Sequence, residues 1–454
     1  MRAAVLALLV GGFLQAPAAS AQVERSCVER KAPIRIGIHE RSRTVAGRLV
    51  TLVLRSRAMR GDQTVNVLLP RRYDRSGRTR YPVLYLLHGA GGDNRSWLDD
   101  EHVQDALGST PVIAVMPDGS ATSASGQRVN GGYSDWFGVD AGSREAAPAW
   151  ESYHVRELVP FVDRAFPTRP NAGGRAIAGI SMGGTGAMKY AAEFPGTFGY
   201  AASFSGGLDS AVRRDSNCKW GEFPRDEVVW RDNNPTDLAG NLRGVRLFVR
   251  AGDGAPGPFD APAEPLDPGE AALWRARLAT EAGARAMAES FIAALRKARV
   301  PRLDARFYHG SHSHPYWRRE LPGFVAWLRR QLRRPPQAPR SFSVESAHDD
   351  FTAWGWRFQP HRRVREFVYL DVGGAELRAT GSGRLDVITP PRYRSRARYS
   401  VRIGRDSRTI RADRSGRLAF TLKLGPSHTR QQTRFESNDI RRWRTVAARI
   451  GGRG

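Results

Sequence analysis

Gly179-Ile180-Ser181-Met182-Gly183 is the stretch that decides the fold of this chain. An apolar run, Ala176-Ile177-Ala178, leads into it, and a helix-like segment, residues 184–194, leads out. Strand, sharp turn and helix around Gly-x-Ser-x-Gly are the setting of a nucleophile elbow, in which a serine hydroxyl stands exposed at the end of a sheet. The glycines fit because a strained turn leaves little room for side chains beside the serine. The start of the following helix favours negative charge next to Ser181. The bland alternative is a Gly-rich turn that happens to hold a serine. The strand before it and the helix after it favour the elbow.

Working outward, residues 81–87, 111–116 and 245–249 are short apolar runs, the mark of strands buried on both faces. Residues 198–204 and 303–308 read as further strands, and 49–54 and 64–69 alternate as half-buried strands do. Helices are expected over 96–107, 150–166, 285–298 and 321–332. Strands alternating with helices imply a mainly parallel sheet covered on both faces. Residues 121–148 form a long Gly-, Ser- and Ala-rich connection, of the kind that serves as a lid or binding loop. Residues 22–47 resist assignment.

Length and texture divide the chain. Its 454 residues exceed one ordinary domain, and 41% hydrophobic with 26% charged residues is enough to bury a core. Residues 1–21 read as a secretory signal: Arg2, a short apolar stretch, then Ala19-Ser20-Ala21. The expected α/β catalytic domain runs over 22–332. A basic, Pro-rich linker follows at 333–340, then a small antiparallel β-sandwich over 341–440 and a loose basic tail over 441–454. Localisation is therefore expected to be extracellular. There, Cys27 and Cys218 could pair or remain two separate buried thiols. The formal net charge is +26, carried almost wholly by arginine. Anionic cell-wall polymer or an acidic lipid surface would suit it, as would no dedicated partner at all. Nucleic acid is not expected, because no basic stretch interleaves aromatics. Oligomeric state is not legible.

The chemistry follows from the serine. Its hydroxyl needs a neighbouring base, and a third group to orient that base. His309, His312 and His314 lie in one loop directly after the 303–308 strand, where the base belongs. Their spacing also admits a metal, but no other motif supplies the remaining ligands. No metal or cofactor is expected. Asp253, after the 245–249 strand, and Glu281, read as beginning the helix that leads to the last strand, compete as the acid. An oxyanion hole would draw one N–H from Met182 and one from His88-Gly89-Ala90-Gly91-Gly92.

Several stretches together resemble a known family. They are Tyr-Leu-Leu-His-Gly at 85–89, Val-Met-Pro-Asp-Gly at 115–119, Tyr133-Ser134-Asp135-Trp136, Trp150-Glu151, the elbow, Ser205-Gly206, Trp220-Gly221, Asn234-Pro235, and His312-Ser313 before Pro315-Tyr316-Trp317. In order and spacing they are similar to the esterase D superfamily of α/β-hydrolases, above all the exported mycolyltransferase antigens and their secreted esterase relatives. The resemblance implies Ser181 as nucleophile, His312 as base, Glu281 as acid, and Ala90 and Met182 as oxyanion donors. Asp253 stays open as the alternative acid, since other esterases of the superfamily use that position. His88, Gly89, Asp135, Trp136 and Trp317 would line the substrate. The family implies an acyl ester or lipid substrate, with the acyl group released to water or passed to a sugar or glycerol hydroxyl. The mycolyltransferases carry an acidic residue at the position of His88, whereas ordinary esterases carry His, which favours hydrolysis. A wall-binding protein on an inactive hydrolase scaffold is the reading from another class.

Overall fold

The computed structural model describes residues 27–453 apart from 31, 123–127, 141–142, 144–145, 211–217, 261–266 and 432–442. The expected signal, 1–21, lies outside the described residues. The body is a nine-stranded sheet built from β1 (Ile38–Ala46), β2 (Leu49–Ser56), β3 (Gly61–Leu68), β4 (Val83–Leu87), β5 (Ile113–Pro117), β6 (Arg175–Ile180), β7 (Tyr200–Phe204), β8 (Arg246–Gly252) and β9 (Leu303–Tyr308). Their order is β9-β8-β7-β6-β4-β5-β3-β2-β1. The six strands from β9 to β5 are parallel, and β3, β2 and β1 continue the sheet antiparallel. Strand order reverses around β4 and β6, which is where open α/β sheets bind ligands.

The apolar runs form central strands because each buries both faces. Val83, Tyr85 and Leu87 enter the core on one side of the sheet, Leu84 and Leu86 the core on the other. Helix α1 (Met182–Glu193) packs on the first side through Ala187, Met188 and Ala191, and so does α2 (Pro268–Lys297) through Ala288, Phe291 and Leu295. Helix α3 (His314–Leu332) covers the other side with Leu321, Phe324, Val325 and Leu328.

Several expected boundaries move. The 96–107 helix is two short ones, Ser96–Asp99 and Val103–Leu107, separated near His102, whose φ is +51°. Helix α2 begins long before residue 285, and α3 before 321. Residues 38–46, unassigned from sequence, form the edge strand β1, whose side chains are almost all exposed. Cys27 and Cys218 are bonded, so the paired alternative is the one adopted.

Beyond residue 340 the chain forms two antiparallel sheets. Their strands are β10 (Ser341–Ser346), β11 (Phe351–Ala353), β12 (Trp356–His361), β13 (Val368–Gly373), β14 (Glu376–Gly381), β15 (Arg384–Ile388), β16 (Arg398–Ile403), β17 (Asp406–Arg411), β18 (Ala419–Lys423) and β19 (Arg444–Arg453). One sheet runs β10-β13-β14-β19-β16-β17 and the other β11-β12-β15-β18. Val344, Leu370 and Leu377 of the first meet Phe358, Val387 and Leu422 of the second in one core. The basic tail is not loose. Residues 444–453 are an interior strand between β14 and β16, with Ala448 fully buried.

The linker is not a free spacer either. A Cβ added at Gly173 would lie 2.9 Å from Pro335 Cβ, so this segment packs on the first domain. The sandwich docks at the end of α1 farthest from Ser181: the Trp354 N–H donates to Pro195 O at 2.8 Å. Asn241 and Glu345 exchange two hydrogen bonds, and Ala347, Phe367 and Trp443 join the core of the larger domain. Among the described residues no helix is long and apolar enough to cross a membrane.

Candidate active site

Ser181 caps β6 and precedes α1 with φ +50° and ψ −120°, a conformation costly for a residue with a side chain. The neighbouring glycines are a steric requirement. A Cβ at Gly179 would land on the Gly183 backbone, and one at Gly183 on the carbonyl of Leu87. The packing that fixes the turn therefore also fixes Ser181 beside the end of β4.

The loop after β9 brings His312 to it. His312 Nε2 lies 2.8 Å from Ser181 Oγ, and Nδ1 lies 2.6 Å from Glu281 Oε2. Glu281 sits near the middle of α2, not at its start, and is fully buried. Its other oxygen accepts from Ser205 Oγ at 2.6 Å and from the Gly252 N–H. A buried carboxylate with both oxygens engaged can stay ionised and hold an imidazole in one orientation. Trp317 Nε1 donates to Ser205 Oγ at 3.0 Å, and its ring stands edge-on to His312 at 5.0 Å between centroids.

The three histidines turn to three different carboxylates. His309 Nδ1 meets Asp253 at 2.6 Å with its side chain 77% exposed, so Asp253 is drawn away from the serine. His314 Nδ1 meets buried Glu101 at 2.5 Å, and this hydrogen bond holds the His314 imidazole above its usual pKa. Among the described residues, the His, Asp and Glu donors close enough together for a metal are instead Glu151, Glu193 and His348. Lys189 Nζ already stands 2.8 Å from Glu151 and 3.2 Å from Glu193 there.

Gly89 adjoins the elbow: a Cβ on it would lie 3.4 Å from Ser181 Cβ. Among the described residues neither the Ala90 nor the Met182 N–H has an acceptor, so both are free to donate to a ligand. Of the 121–148 connection, part of which lies outside the described residues, residues 128–130 buttress this loop. Asn130 Oδ1 accepts from the Gly91 N–H at 2.9 Å, and Arg128 donates to Gly92 O at 2.6 Å.

Three expected substrate contacts are instead turned into the protein. His88 has no exposed surface; Nδ1 faces Gly89 O at 2.7 Å, and Nε2 accepts from the Gly119 N–H at 2.8 Å. It shapes the loop and cannot touch an acceptor, which removes the direct form of the argument from His88 to hydrolysis. Asp135 accepts from the N–H and Oγ of Ser152 at 2.9 and 2.6 Å and so holds the start of a helical turn. Trp317 is buried beneath His312. Trp136 is half-buried and donates through Nε1 to Gly131 O at 2.9 Å.

Sequence reading missed several supports. Asp260, in the Gly/Pro-rich stretch, accepts from the Ser311 N–H, Ser311 Oγ and Tyr316 OH, which pins the histidine loop. Nothing local distinguishes it from a solvated loop carboxylate. Ser205 was visible as part of Ser205-Gly206, but its link to Glu281 needs the fold.

Sheet order, helices on both faces and a Ser-His-Glu chain beyond the carboxyl ends of the strands define an α/β-hydrolase. The family model described as "Putative esterase" matches residues 56–328, and the chain belongs to that family. The esterase Rv1288 of Mycobacterium tuberculosis H37Rv is 35% identical over 207 residues, 41% of this chain and 42% of that protein. The chain thus spans less than half the length of this relative. A diacylglycerol acyltransferase/mycolyltransferase Ag85A of Mycobacterium gordonae is 27% identical over 292 residues, covering 60% of this chain and 79% of that one. Among solved structures, an S-formylglutathione hydrolase from Agrobacterium tumefaciens is 18% identical with a TM-score of 0.47, covering 64% of this chain and 99% of its own.

Proposed function

We propose that this protein is an exported esterase that cleaves carboxylic esters through an acyl-enzyme on Ser181. The observation that carries the reading is the hydrogen-bond chain from Ser181 Oγ through His312 to buried Glu281. His312 Nε2 takes the serine proton as Oγ bonds to the ester carbonyl carbon. The N–H groups of Ala90 and Met182 stabilise the oxyanion. The carbonyl re-forms, the C–O bond to the alcohol breaks, and the alcohol leaves with the proton from His312. Water then gives its proton to His312 and attacks the acyl carbon; the bond to Oγ breaks, His312 returns the proton to Oγ, and the acid leaves. The Glu281 carboxylate orients the imidazole and stabilises the imidazolium that forms.

Export is supported by the signal-like start and by the Cys27–Cys218 bond, since disulfides persist outside the cytoplasm. A second reading replaces water by a sugar or glycerol hydroxyl. The likeness to Ag85A over more than half of the chain favours it. One experiment addresses both. The purified protein is treated with a fluorophosphonate probe, then given an activated ester with and without trehalose or glycerol. Labelling at Ser181 and free acid as the main product support the esterase; transferred ester as the main product supports the acyltransferase; an unlabelled Ser181 in folded protein overturns both.

A further inference from the structure

We propose that the C-terminal sandwich carries an anion-binding site of its own, on the four-stranded sheet, suited to the phosphodiester groups of a soluble polymer. An open groove of about 660 Å³ lies there; its basic side chains are Arg384, Lys423, Arg444 and the imidazole of His361, and the rest is two glycines and Ser427. The inference goes beyond the esterase reading and does not rest on it.

Strand register brings the cations together. His361 on β12 stands opposite Arg384 on β15, and Arg384 stands opposite Lys423 on β18. Neighbouring strands are about 4.8 Å apart, so three basic side chains rise side by side on one face. Like charges directly opposite one another weaken a sheet. Asp386 offsets part of this, at 2.8 Å from His361 and 3.6 Å from Arg384. Among the described residues neither Lys423 nor Arg444 has an ion-pair partner. Gly425, at φ +101°, makes room for Arg444, since a Cβ there would lie 3.0 Å from Arg444 Cδ.

The lining specifies the ligand class. It offers guanidinium, ammonium, imidazole and hydroxyl donors, and no aromatic or aliphatic side chain on which a base, a sugar face or an acyl chain could rest. Three permanent cations face one carboxylate, and guanidinium forks match phosphate oxygens. The groove is open and about 660 Å³ in volume, which leaves room for a repeating unit beyond a single oxyanion. A bilayer is a poorer fit, because surface-binding elements add apolar side chains that enter the headgroup region, and this lining has none.

The test uses the full chain and a fluorescent poly(glycerol phosphate) oligomer, followed by anisotropy. The double variant Arg384→Gln/Lys423→Gln should bind at least about tenfold more weakly. Arg405→Gln/Arg408→Gln, which removes two exposed charges at the far edge of the other sheet, should stay within about twofold. Unchanged far-UV circular dichroism and thermal unfolding in both, beside unchanged p-nitrophenyl ester turnover, show that both domains fold in the two variants. A measurement on the unaltered protein stands beside this: the polymer should protect Lys423, the only lysine beyond residue 340, from acetylation. Equal weakening in the two double variants, no binding by the full chain, or no protection of Lys423 overturns the site. Equal affinity for a uronic-acid polymer, or pocket-dependent binding only to phosphatidylglycerol vesicles, overturns the phosphodiester assignment.

Discussion

Glu281 and Asp253 each hold a histidine of the same loop at 2.6 Å, one from inside a helix and one from the loop after β8. Bond length does not separate them; surroundings do. Glu281 is fully enclosed and has two further donors, and its histidine, only 14% exposed, reaches on to a serine. Asp253 is a quarter exposed and its histidine stands mostly in water. An exposed pair of this kind contributes about 0–1 kcal/mol. A buried carboxylate, by contrast, persists only where several donors converge. The difference teaches that a carboxylate–imidazole contact becomes a catalytic chain when the carboxylate is buried and the imidazole faces a hydroxyl whose proton it can take.

The largest expected effect tests whether the catalytic chain ends where proposed. Ser181→Ala should lower kcat for an activated ester by about 10⁶-fold and abolish fluorophosphonate labelling, as loss of a nucleophile does elsewhere. Retained turnover would mean that the His312–Glu281 pair serves something other than this hydroxyl. Next comes the carboxylate itself. Glu281→Gln should lower kcat by about 10³–10⁴-fold, because an amide no longer stabilises the imidazolium and permits the wrong tautomer. Asp253→Asn should change kcat by less than about twofold. Reversed results for the two variants would invert the contrast and make Asp253 the acid.

The same contrast explains how much was legible in the sequence. The elbow and the central strands could be read because their signals are local: glycines forced by backbone contact, and apolar runs buried on both faces. Glu281 was hard to place because its helix starts inside a stretch rich in Gly and Pro. Asp267 and Glu270 form a capping box there, with Pro268 at the first helical position, so residues that look like loop in fact start the helix. The first half of α2 then buries little, which hides its period. The strand β19 was missed for a related reason. Arg444, Gly451 and Gly452 mask its alternation, and only the gap between β14 and β16 shows why it must be a strand. Asp260 and Glu101 carry no readable signal for these roles, since the histidine-loop partners of Asp260 lie 51 or more residues away and His314 lies 213 residues from Glu101.

His314 offers a smaller effect that sharpens the comparison, since it combines a buried carboxylate with a half-exposed ring. Its pKa is raised in the folded protein, mainly by the hydrogen bond it donates to Glu101. A raised histidine contributes stability that is fully present below its unfolded value of about 6.5 and is lost as pH rises through the folded one. The Tm deficit of Glu101→Gln against the unaltered protein should therefore be larger at pH 6 than at pH 9. A deficit that does not depend on pH would show that Glu101 acts there by packing alone.

The smallest effect belongs to Asp253. Burial works against its charge, but the Ala255 N–H and His309 together hold its carboxyl below the ordinary value. A depressed carboxylate contributes stability that is present above its unfolded value of about 3.9 and is lost as pH falls through the folded one. Asp253→Asn should accordingly cost no more than about 1 kcal/mol near neutral pH, as exposed pairs do. That cost should fade in strong acid, where the native carboxyl is itself protonated. Urea unfolding of both proteins across this range checks the sign. A cost of several kcal/mol at pH 7, or one that grows on acidification, would mean that Asp253 is held as firmly as Glu281. The distinction between a solvated pair and a buried catalytic chain would then fail at the point where the two are most alike.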